Sequence, residues 1–556
     1  MIYSCDIETI KDPDESMRVW LVDACEAESY NHHTFINLSE FFEWLSLQED
    51  STLYFHNLKH DGPFLVYWLY RHNFKWKYSK KLNKRQYFFL VTDMSQWFYG
   101  NIVMENGTKI QIIDSYKKIP LKAASIAEAY KLPISKGEID YKQYRPVGYQ
   151  PTEEEVSYIH RDSEIIARAL DIHFKNGMLK LTAPADALAM YKTTVDFENL
   201  FCSRWYISHP LEEKFCRKAY CGGISWVNPE IKNIEVRHGF VYDYNSMYPS
   251  VMLMYAYPVG YPVRWYDKVP KGYDLYIAHC HVSIERKAGC PACIRNPVTN
   301  TWIETSYEGE LWLTNVDVEL LLQNYYVGES GYIILEDGYC WHGKKGIFDD
   351  YINYWRNIKE TSTGALRQLA KLMLNSLYGK FGTNPERKHK DINFDADGMM
   401  HYSITEIETG KTYNVAVAAF VTAYARRELV MGIHNTVGFC YCDTDSIHAA
   451  SINGKAPKFT GPVDNKKFGH WKRETNCFVR ARYLRQKTYI EELPDGSLNI
   501  AACGCPDSSK NYITYENFQI GASYKGKLTP TMRKGGVELV EKRFTVREKI
   551  TMSRFE

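Results

Sequence analysis

Two short β-type runs separated by three residues constrain the fold more than any other feature of this chain. Residues 438–442 and 446–450 flank Asp443, Thr444 and Asp445. Runs this close predict a β-hairpin, and the two-residue spacing brings both aspartates together at its tip. Such neighbouring carboxylates raise each other's pKa unless a cation compensates them. From this segment alone, a divalent-metal site and an ordinary acidic surface turn both remain open.

A third aspartate lies at the end of another predicted strand, at residues 239–244. Asp243 is followed by Pro249, which starts a new element. If this strand joins the hairpin in one sheet, Asp243 and Asp445 complete a two-metal site. Tyr248 is then near enough to pack against the sugar of a bound nucleotide. Aspartates at strand ends are common, so this segment by itself is a weak signal.

Two long helices are predicted next, at residues 347–359 and 364–378. The second follows three hydroxyl residues at 361–363, and one of these hydroxyls is expected to cap its first turn. Gly379 is expected to end this helix. A further helix is predicted at 415–432.

One face of the second helix carries three polar side chains. Lys371, Asn375 and Tyr378 are spaced by four and three residues, so they point the same way. Lys359 lies on the preceding predicted helix. An ammonium, an amide and a phenol suit a triphosphate, a sugar and a base, whereas the polar outer face of an ordinary amphipathic helix is the alternative.

The C-terminal region is basic although the whole chain is nearly neutral. Residues 466–556 contain 18 Lys and Arg against 10 Asp and Glu, while the formal net charge of the chain is +1. Lys487 and Tyr489 lie here on a predicted strand, where a spacing of two makes them point the same way. Such a surface suits contact with phosphates, and a solvated basic surface is the alternative.

A second group of acids lies near the N-terminus. Asp6 and Glu8 share one face of a predicted strand, Asp61 follows later, and Tyr158 and Asp162 share one face of a predicted helix. Acids that converge in this way are typical of a hydrolytic site with two metal ions, in which Tyr158 could orient the attacking water. Scattered surface acids are the alternative.

The length of 556 residues predicts several domains. Strand-like and helical runs alternate up to about residue 185, which favours an α/β domain. Residues 255–346 are rich in Tyr, Pro, Gly and Trp and predict irregular β-structure. The last 40 or so residues are expected to form a small accessory subdomain.

Fourteen scattered cysteines suit a reducing cytoplasm. Cys290, Cys293, Cys280 and His281 form the one arrangement with zinc-ligand potential, but a second C-x-x-C pair is missing, so no zinc is expected. The N-terminus lacks a signal-peptide pattern, and the apolar stretch 415–425 is too short to span a membrane. A cytoplasmic protein without membrane contact is expected.

In their order along the chain, these segments resemble the motifs of the family B (polymerase-alpha-like) DNA polymerases. Residues 243–250, 371–379 and 441–446 resemble the polymerisation motifs. Three pairs resemble the family's exonuclease motifs: Asp6 with Glu8, Asn57 with Asp61, and Tyr158 with Asp162. The most specific resemblance is to the protein-primed, phi-twenty-nine-like phage type, through residues 56–59, 145–149, 369–381 and 483–489.

This resemblance implies an α/β multidomain fold, with an N-terminal ribonuclease H-like 3′→5′ exonuclease domain (1–185) and a right-hand polymerase domain of palm, fingers and thumb (186–556). The implied parts of the polymerase domain are the palm at about 186–254 and 411–510, a first terminal-protein-region insertion at 255–346, fingers at 347–385, a second insertion at 386–410 and a thumb at 511–556.

The resemblance also implies residue roles. The catalytic residues are Asp243, Asp443, Asp445, Asp6, Glu8, Asp61, Asp162 and Tyr158. The metal ligands are Asp243, Tyr244 through its carbonyl, and Asp445 at one site, and Asp6, Glu8, Asp61, Glu138 and Asp162 at the other. The nucleotide-binding residues are Tyr248, Lys359, Lys371, Asn375 and Tyr378. The DNA-binding residues are His56, Asn57, Thr9, Ser115, Lys136, Tyr220, Gly222, Gly223, Ser246, Gly379, Phe381, Lys487 and Tyr489.

This chain departs from the family pattern at three positions. Cys221 stands where the family has Arg, which puts one DNA contact in doubt. His60 stands where the related phage enzymes have Phe, and Glu138 replaces an Asp.

The implied cofactors are two Mg²⁺ ions per active site, with Mn²⁺ as an alternative. The implied partners of a monomeric, phage-encoded enzyme in the host cytoplasm are template-primer DNA, deoxynucleoside triphosphates and a priming terminal protein. Two alternatives stay open: a family B polymerase that extends only nucleic-acid primers, and an inactive DNA-binding relative. If the protein were only a nuclease, the helix that carries Lys371, Asn375 and Tyr378 on one face would stay unexplained.

Overall fold

The computed structural model describes residues 1–79, 81–327, 331–405, 408–411, 413–474 and 477–548. Its strands form three large sheets and three small two-stranded ones within these ranges. No helix of the described ranges has both the length and the apolar character required to cross a lipid bilayer.

The N-terminal part is built on a mixed sheet with the order β3-β2-β1-β4-β8-β7-β6, in which β1, β4 and β8 run parallel. Its strands are β1 (Ile2–Lys11), β2 (Met17–Glu26), β3 (His32–Phe35), β4 (Ser51–Phe55), β5 (Lys75–Trp76), β6 (Gln86–Thr92), β7 (Trp97–Val103) and β8 (Lys109–Asp114). Its helices are α1 (Leu38–Leu47), α2 (Leu58–Arg71), α3 (Ala123–Tyr130) and α4 (Glu153–Lys175).

Helix α4 positions the first acidic group. Thr152 and Glu155 form a capping box that satisfies the free N–H groups of its first turn. The helix then packs across β1 and β2, so its inner face meets the side chains of both strands. This packing brings a helical acid to the acids of β1.

The chain continues through small helices into the strands that carry the second acidic group. These elements are α5 (Ala183–Thr194), α6 (Phe197–Phe201), α7 (Ser203–Ser208), α8 (Pro210–Lys218), β9 (Ser225–Val227), β10 (Glu235–Tyr244) and α9 (Met247–Met254).

Residues 255–346 form a sheet of their own, as the composition predicts, together with one helix. The elements are β11 (Tyr257–Tyr266), β12 (Leu275–Arg286), β13 (Ser306–Thr314), α10 (Asn315–Asn324), β14 (Tyr325–Tyr326) and β15 (Tyr332–Lys344). The strand order is β11-β15-β12-β13, and β14 pairs with β12.

Two helices and a set of short strands follow. They are α11 (Asp349–Thr361), α12 (Gly364–Phe381), β16 (Glu386–Arg387), β17 (His389–Phe394), β18 (Met400–Ile404), β19 (Glu408–Thr409) and α13 (Val415–His434). Helix α13 is buried along most of its length and packs on α12, α9 and α10, so it is the centre of the largest hydrophobic core.

The remaining strands complete the central sheet, whose order is β27-β26-β25-β10-β22-β21-β9 with β24 on β10. The remaining elements are β20 (Thr436–Val437), β21 (Phe439–Asp443), β22 (Ser446–Ser451), β23 (Lys458–Phe459), β24 (Trp471–Arg473), β25 (Phe478–Arg485), β26 (Thr488–Glu492), β27 (Leu498–Ala502), α14 (Asp507–Lys510), β28 (Ser523–Arg533) and β29 (Gly536–Thr545).

Two segments return to the N-terminal part. Strand β17 pairs with β6 and extends the first sheet, with His389 opposite Thr92 and Lys390 opposite Val91. The hairpin β28–β29 reaches the start of β2, where the Met17 N–H donates to the Lys534 carbonyl at 2.8 Å. The N-terminal part is therefore held at two places by later parts of the chain.

The predicted ends of α12 were wrong in two respects. The helix continues past Gly379 to Phe381, because Phe381 is fully buried in the large core and its packing outweighs the glycine signal. No side-chain hydroxyl caps its first turn, although Thr363 is at the N-cap position. The hydroxyl of Thr361 instead donates to the Asn357 carbonyl at the end of α11.

Candidate active sites

The hairpin of the central sheet brings three aspartates together. Asp443 ends β21, and Asp445 follows Thr444 in the tight turn to β22. Strand β10 lies beside β22, with Asp243 opposite Ser446. The backbone N–H of Tyr244 donates to the Asp445 carbonyl at 2.7 Å, which fixes the end of β10 against the turn. The prediction that two acids distant in sequence meet here is confirmed.

The carboxylates at this turn are held close enough to repel each other. Burial, together with the charges of Asp445 and Glu474, raises the pKa of Asp243 to about 7. Burial also raises the pKa of Asp445, with Asp443 as the next cause. Lys487 already neutralises Asp443, since its Nζ lies 2.7 Å from both carboxylate oxygens.

Asp243 and Asp445 are therefore the two acids here that most need an added cation. Carboxylate oxygens are the ligands that Mg²⁺ and Mn²⁺ prefer, so the donor set fits these ions.

Helices α11 and α12 place cations above these acids. Lys359 donates from Nζ to the Ser246 hydroxyl at 2.8 Å, and Ser246 lies three residues after Asp243. Burial lowers the pKa of Lys359, and the neighbouring charges of Arg367 and Lys371 lower it further. A cluster of cations that repel each other is a binding site for a polyanion such as a triphosphate.

Arg367 was missed in the sequence. It is four residues before Lys371 on α12, so the helical spacing could have identified it.

Two tyrosines stack on each other beside the aspartates of the central sheet. The rings of Tyr248 on α9 and Tyr378 on α12 are 4.1 Å apart between centroids and 21° from parallel. Both are half-buried, whereas Lys371 and Asn375 on the same helix are exposed. The predicted face of α12 is therefore half-buried at Tyr378 and open to solvent at Lys371, whose charge still lowers the pKa of Asp243.

The segment 220–223 lies against the acidic turn. A Cβ atom at Gly223 would lie 2.9 Å from the Thr444 side chain, so only glycine fits there without a shift. The buried guanidinium of Arg426 donates to the carbonyls of Cys221 and Gly222 at 2.8 and 3.0 Å and pairs with Asp317. Sequence reasoning missed this buried Arg–Asp pair, because neither residue belongs to a recognisable motif.

The predicted strand position of Lys487 was wrong. Lys487 has a φ of 53° and lies in the turn before β26, so it does not alternate with Tyr489 along one strand. Its backbone N–H donates to the Tyr441 hydroxyl at 3.0 Å, and the Tyr489 ring lies 5.1 Å from the Tyr441 ring. This turn points the ammonium at Asp443, at the edge of the acidic site.

The N-terminal acids also meet. Asp6 and Glu8 lie on β1, Asp61 on α2 and Asp162 on α4. Burial raises the pKa of Asp6 well above its usual value, and Glu8, Asp162 and Asp61 add to the shift. Burial and Asp162 raise the pKa of Glu8 to about 8. The prediction that these acids converge is confirmed.

One atom of this group points to a missing ligand. Within the described ranges, the buried Oδ1 of Asp162 has no hydrogen-bond partner. The other oxygen, Oδ2, accepts a hydrogen bond from Lys136 Nζ at 2.6 Å. A buried carboxylate oxygen without a donor suits a cation, so the residues present fit divalent metal ions.

Tyr158 lies one helical turn before Asp162 and faces the same group. Its hydroxyl shares a hydrogen bond of 2.7 Å with the Tyr141 hydroxyl, and burial raises its pKa. Tyr141 was not predicted, because it lies in a loop whose path the sequence does not reveal. By contrast, Glu138 is exposed and is not among the groups that shift the pKa of Asp6 or Glu8. Its role as a metal ligand stays a prediction.

Three predicted DNA contacts have side chains that are engaged within the protein. Ser115 is fully buried, and its hydroxyl bonds the Phe55 carbonyl and His56 Nδ1. The second nitrogen of His56 lies 2.7 Å from the Leu121 carbonyl, so both ring nitrogens are used inside the protein. Phe381 is fully buried. Their roles as DNA contacts stay predictions.

Other predicted DNA contacts are accessible or close to an acidic group. Asn57 is exposed at the start of α2 with a φ of 81°, and Thr9 follows a bulge in β1 just after Glu8. Gly379 and Gly222 have open space where a Cβ would lie. Tyr220 is half-buried and covers Gly382.

Comparison with known proteins connects both sites to one family. Residues 140–458 match the family model described as DNA polymerase type B, organellar and viral. The chain is 38% identical to the DNA polymerase of Bacillus phage Nf and 37% identical to that of Bacillus phage phi29, in each case over 98% of this chain and 99% of the relative. Phi29 DNA polymerase in complex with primer-template DNA and incoming nucleotide substrates matches with a TM-score of 0.89 and 35% identity, over 98% of this chain and 100% of that chain.

Proposed function

This chain belongs to the organellar and viral type B DNA polymerases and is a DNA-directed DNA polymerase, and from that premise we propose that its two acidic groups add and remove nucleotides. The group around Asp243 and Asp445 is the site of nucleotide addition. The group around Asp6 and Asp162 is the site of 3′→5′ proofreading. The observation that carries the proposal is the meeting of Asp243 and Asp445 at one turn beneath the lysines of α11 and α12.

Asp243 and Asp445, with the Tyr244 carbonyl, would hold two divalent ions, for which we propose Mg²⁺ with Mn²⁺ as a substitute. When bound, such ions lower the pKa of the primer hydroxyl and neutralise the departing pyrophosphate. The raised pKa of Asp243 supports this assignment, because a bound divalent cation would offset both of its main causes, the burial of the carboxylate and the nearby charge of Asp445.

The protein's own groups position the nucleotide. Lys359 and Lys371 bind the triphosphate as point charges. Tyr248 packs under the deoxyribose, and Tyr378 packs on the new base pair and reads its shape. Asn375 lies on the same helix face. Lys487 leaves Asp443 to contact the primer strand, and Tyr489 supports the turn that carries it.

At the N-terminal site, Asp6, Glu8, Asp61 and Asp162 would hold two further ions. Tyr158 orients the attacking water, and its hydrogen bond to Tyr141 fixes the hydroxyl. Lys136 holds Asp162 until a metal ion replaces it. The exposed Asn57, with Thr9, would contact the single-stranded primer end.

We propose that initiation is protein-primed. The proposed partners are template-primer DNA, deoxynucleoside triphosphates and a terminal protein, and the enzyme acts as a monomer in the cytoplasm of the host cell. The sequence resemblance to the protein-primed phage type supports this. The alternative is a polymerase that extends only nucleic-acid primers. Incubation with the co-encoded candidate primer protein and labelled deoxynucleotide separates the two, since only protein priming attaches the label covalently to a protein hydroxyl.

Separation of the two activities tests the site assignment. Asp445→Ala should reduce primer extension at least about 100-fold and leave single-strand degradation unchanged, because it removes a metal ligand from one site only. Asp6→Ala should do the reverse. Both variants are measured in extension and degradation assays beside Asp397→Ala, an exposed acid outside both sites. Loss of both activities in either variant means that the sites were assigned wrongly. Wild-type extension by Asp445→Ala would remove Asp445 from the addition site, and no extension by the wild-type protein would favour an inactive relative.

A further inference from the structure

A group of histidines and acids lies on the sheet of residues 255–346, outside both acidic sites. His279 and His281 are two residues apart on β12, so their side chains share one face. In the register of the sheet, His281 is directly opposite Glu310 on β13. On the other side, Glu336 lies at a bulge of β15, next to Asp337, which is opposite His279. Three adjacent strands thus contribute to one cluster.

The ligand atoms of three residues lie at metal-site spacing. Nε2 of His279 and Nε2 of His281 are each 3.7 Å from a different carboxylate oxygen of Glu310. One ligand atom from each of the three residues lies within 4.8 Å of the others. In a tetrahedral site with bonds of about 2.1 Å, ligand atoms are about 3.4 Å apart. The side chain of Glu310 is half exposed, so it is free to adjust its position around an ion.

The state of His279 points to a missing partner. Its Nε2 atom is buried and has no hydrogen-bond partner within the described ranges. Its Nδ1 atom faces carboxylate oxygens of Glu336 and Asp337 at 3.3 and 3.4 Å. A histidine that binds metal through one nitrogen commonly directs the other N–H at a carboxylate, which fixes its tautomer. The ring also stacks on Trp312, with 4.5 Å between centroids, which fixes its plane.

Cys280 takes no part in this cluster. It lies between the two histidines on β12, so its side chain points to the opposite, buried face of the sheet. Its Sγ donates to the Ala278 carbonyl at 3.7 Å. The missing second C-x-x-C pair argues against a zinc site made of cysteines. It does not bear on the histidine cluster, which contains no cysteine.

We propose that His279, His281 and Glu310 bind one Zn²⁺ ion, with Glu336 and Asp337 orienting the first histidine. Two imidazoles and one carboxylate are a zinc-type donor set, and Mg²⁺ does not favour imidazole ligands. Three protein ligands leave the fourth position open, and it faces solvent because His281 and Glu310 are both partly exposed. The site takes a water molecule or a donor group from a bound partner at this position.

Another histidine cluster, Asp23 with His32 and His160, is a weaker candidate. His32 Nδ1 is 2.8 Å from Asp23, and His160 Nε2 is 2.7 Å from the Thr34 hydroxyl, so these groups already satisfy one another. This cluster serves as an internal control.

Cobalt substitution in the full-length protein tests the proposal. Metal-free protein is titrated with Co²⁺ in excess Mg²⁺, which occupies the sites made of carboxylates alone. Four-coordinate Co²⁺ with imidazole ligands gives a strong visible absorption band, and we expect one equivalent of Zn²⁺ to displace it. His281→Gln should weaken Co²⁺ binding at least about 100-fold. Glu310→Gln should weaken Co²⁺ binding as well. With two variants, the test does not depend on the correct folding of His281→Gln alone.

Two matched variants complete the experiment. His342→Gln changes an exposed histidine on β15 that stacks on Tyr273 and is outside the cluster, so the band should be unchanged. His160→Gln removes the competing cluster and should also leave the band unchanged. Primer extension by every variant confirms that it is folded. The proposal is overturned if wild-type protein gives no band, if His281→Gln retains it, or if His160→Gln loses it.

Discussion

At the scale of single residues, the stacking of Tyr248 on Tyr378 would couple the sugar selection and the base-pair selection that we propose for these two rings. The two rings lie 4.1 Å apart between centroids. Burial raises the pKa of both hydroxyls, and the charge of Asp445 is a smaller cause in the same direction. Because each ring is held by the other, a change in one is expected to loosen the second. Sugar discrimination is the more direct readout, since a bulky ring excludes a 2′-hydroxyl by contact alone.

Tyr248→Val should therefore admit ribonucleotides. Removal of the ring opens space beneath the sugar, and a steric contact of this size is worth about 10- to 100-fold in discrimination. The ratio of kcat/KM for a ribonucleotide to that for its deoxynucleotide should rise by this factor in single-nucleotide extension. Tyr354→Val, which changes an exposed tyrosine of α11, is the control. Unchanged sugar discrimination in Tyr248→Val would remove the ring from this role.

His56 predicts a pH dependence of stability. Burial lowers its pKa from 6.5 to about 4, so the folded protein holds the ring neutral, bonded to Ser115 and the Leu121 carbonyl. Since the folded pKa lies below the unfolded one, this stability is present above pH 6.5 and is lost as the pH falls toward 4. Between these values, the wild type should lose about 2 to 3 kcal/mol more than His56→Gln.

Urea unfolding at several pH values, followed by circular dichroism, measures this difference. His238→Gln, which changes an exposed histidine, should follow the wild-type curve. Parallel curves for the wild type and His56→Gln would contradict a neutral buried ring.

The motif acids could be predicted from the sequence, and their neighbours could not. The positions of Asp443 and Asp445 follow from local spacing, because two strands joined by a short turn must place both residues at the tip of the hairpin. Tyr141 and Arg426 act through contacts with residues 17 and 109 positions away, Tyr158 and Asp317. Such contacts depend on how elements pack, and no periodicity records them. The turn at Lys487 was missed for another reason, since its positive φ is carried by a residue without a Gly or Asn signal.

At the scale of elements, the pairing of strand β17 leads us to expect that the stability of the N-terminal sheet depends on residues 386–410. The strand pairs with β6, and the Ile392 side chain is buried in the N-terminal core together with Met400. The sequence resemblance implied a separate insertion, and nothing in its composition indicated that its strands join a sheet formed nearly 300 residues earlier. Pairing between strands distant in sequence is the part of a fold that local patterns specify least.

Ile392→Ala should destabilise the N-terminal part by about 2 to 4 kcal/mol, because it leaves a cavity in a packed core. Ile404→Ala on the neighbouring strand β18 is the matched control, since Ile404 is 62% exposed and should change stability by less than about 0.5 kcal/mol. Hydrogen exchange of the β6 and β7 amides reports on this part of the molecule. Equal exchange in the two variants would mean that β17 adds nothing to the sheet.

At the scale of the whole molecule, the N-terminal part is held from two sides. Strand β17 extends its sheet at one edge, and the hairpin β28–β29 contacts strand β2 and helix α2. The hairpin adds ion pairs across the same contact, with Lys11 Nζ 3.3 Å from Glu538. The N-terminal part is thus tied to one segment of the predicted second insertion and to one hairpin of the predicted thumb. We expect this closure to help keep DNA bound between successive additions.

Gly535 at the tip of the hairpin tests whether this closure matters. Its φ is +93°, and a Cβ there would lie 2.0 Å from the Met17 carbonyl oxygen, so Gly535→Ala must push the hairpin off β2. Gly521→Ala is the matched control, since its φ is +88° with nothing within 4 Å, and it carries the same backbone strain without the clash. We expect Gly535→Ala to add several-fold fewer nucleotides per binding event under a DNA trap, while addition of a single nucleotide stays normal. If both variants lose processivity equally, backbone strain rather than closure is responsible, and if neither does, the hairpin does not help retain the DNA.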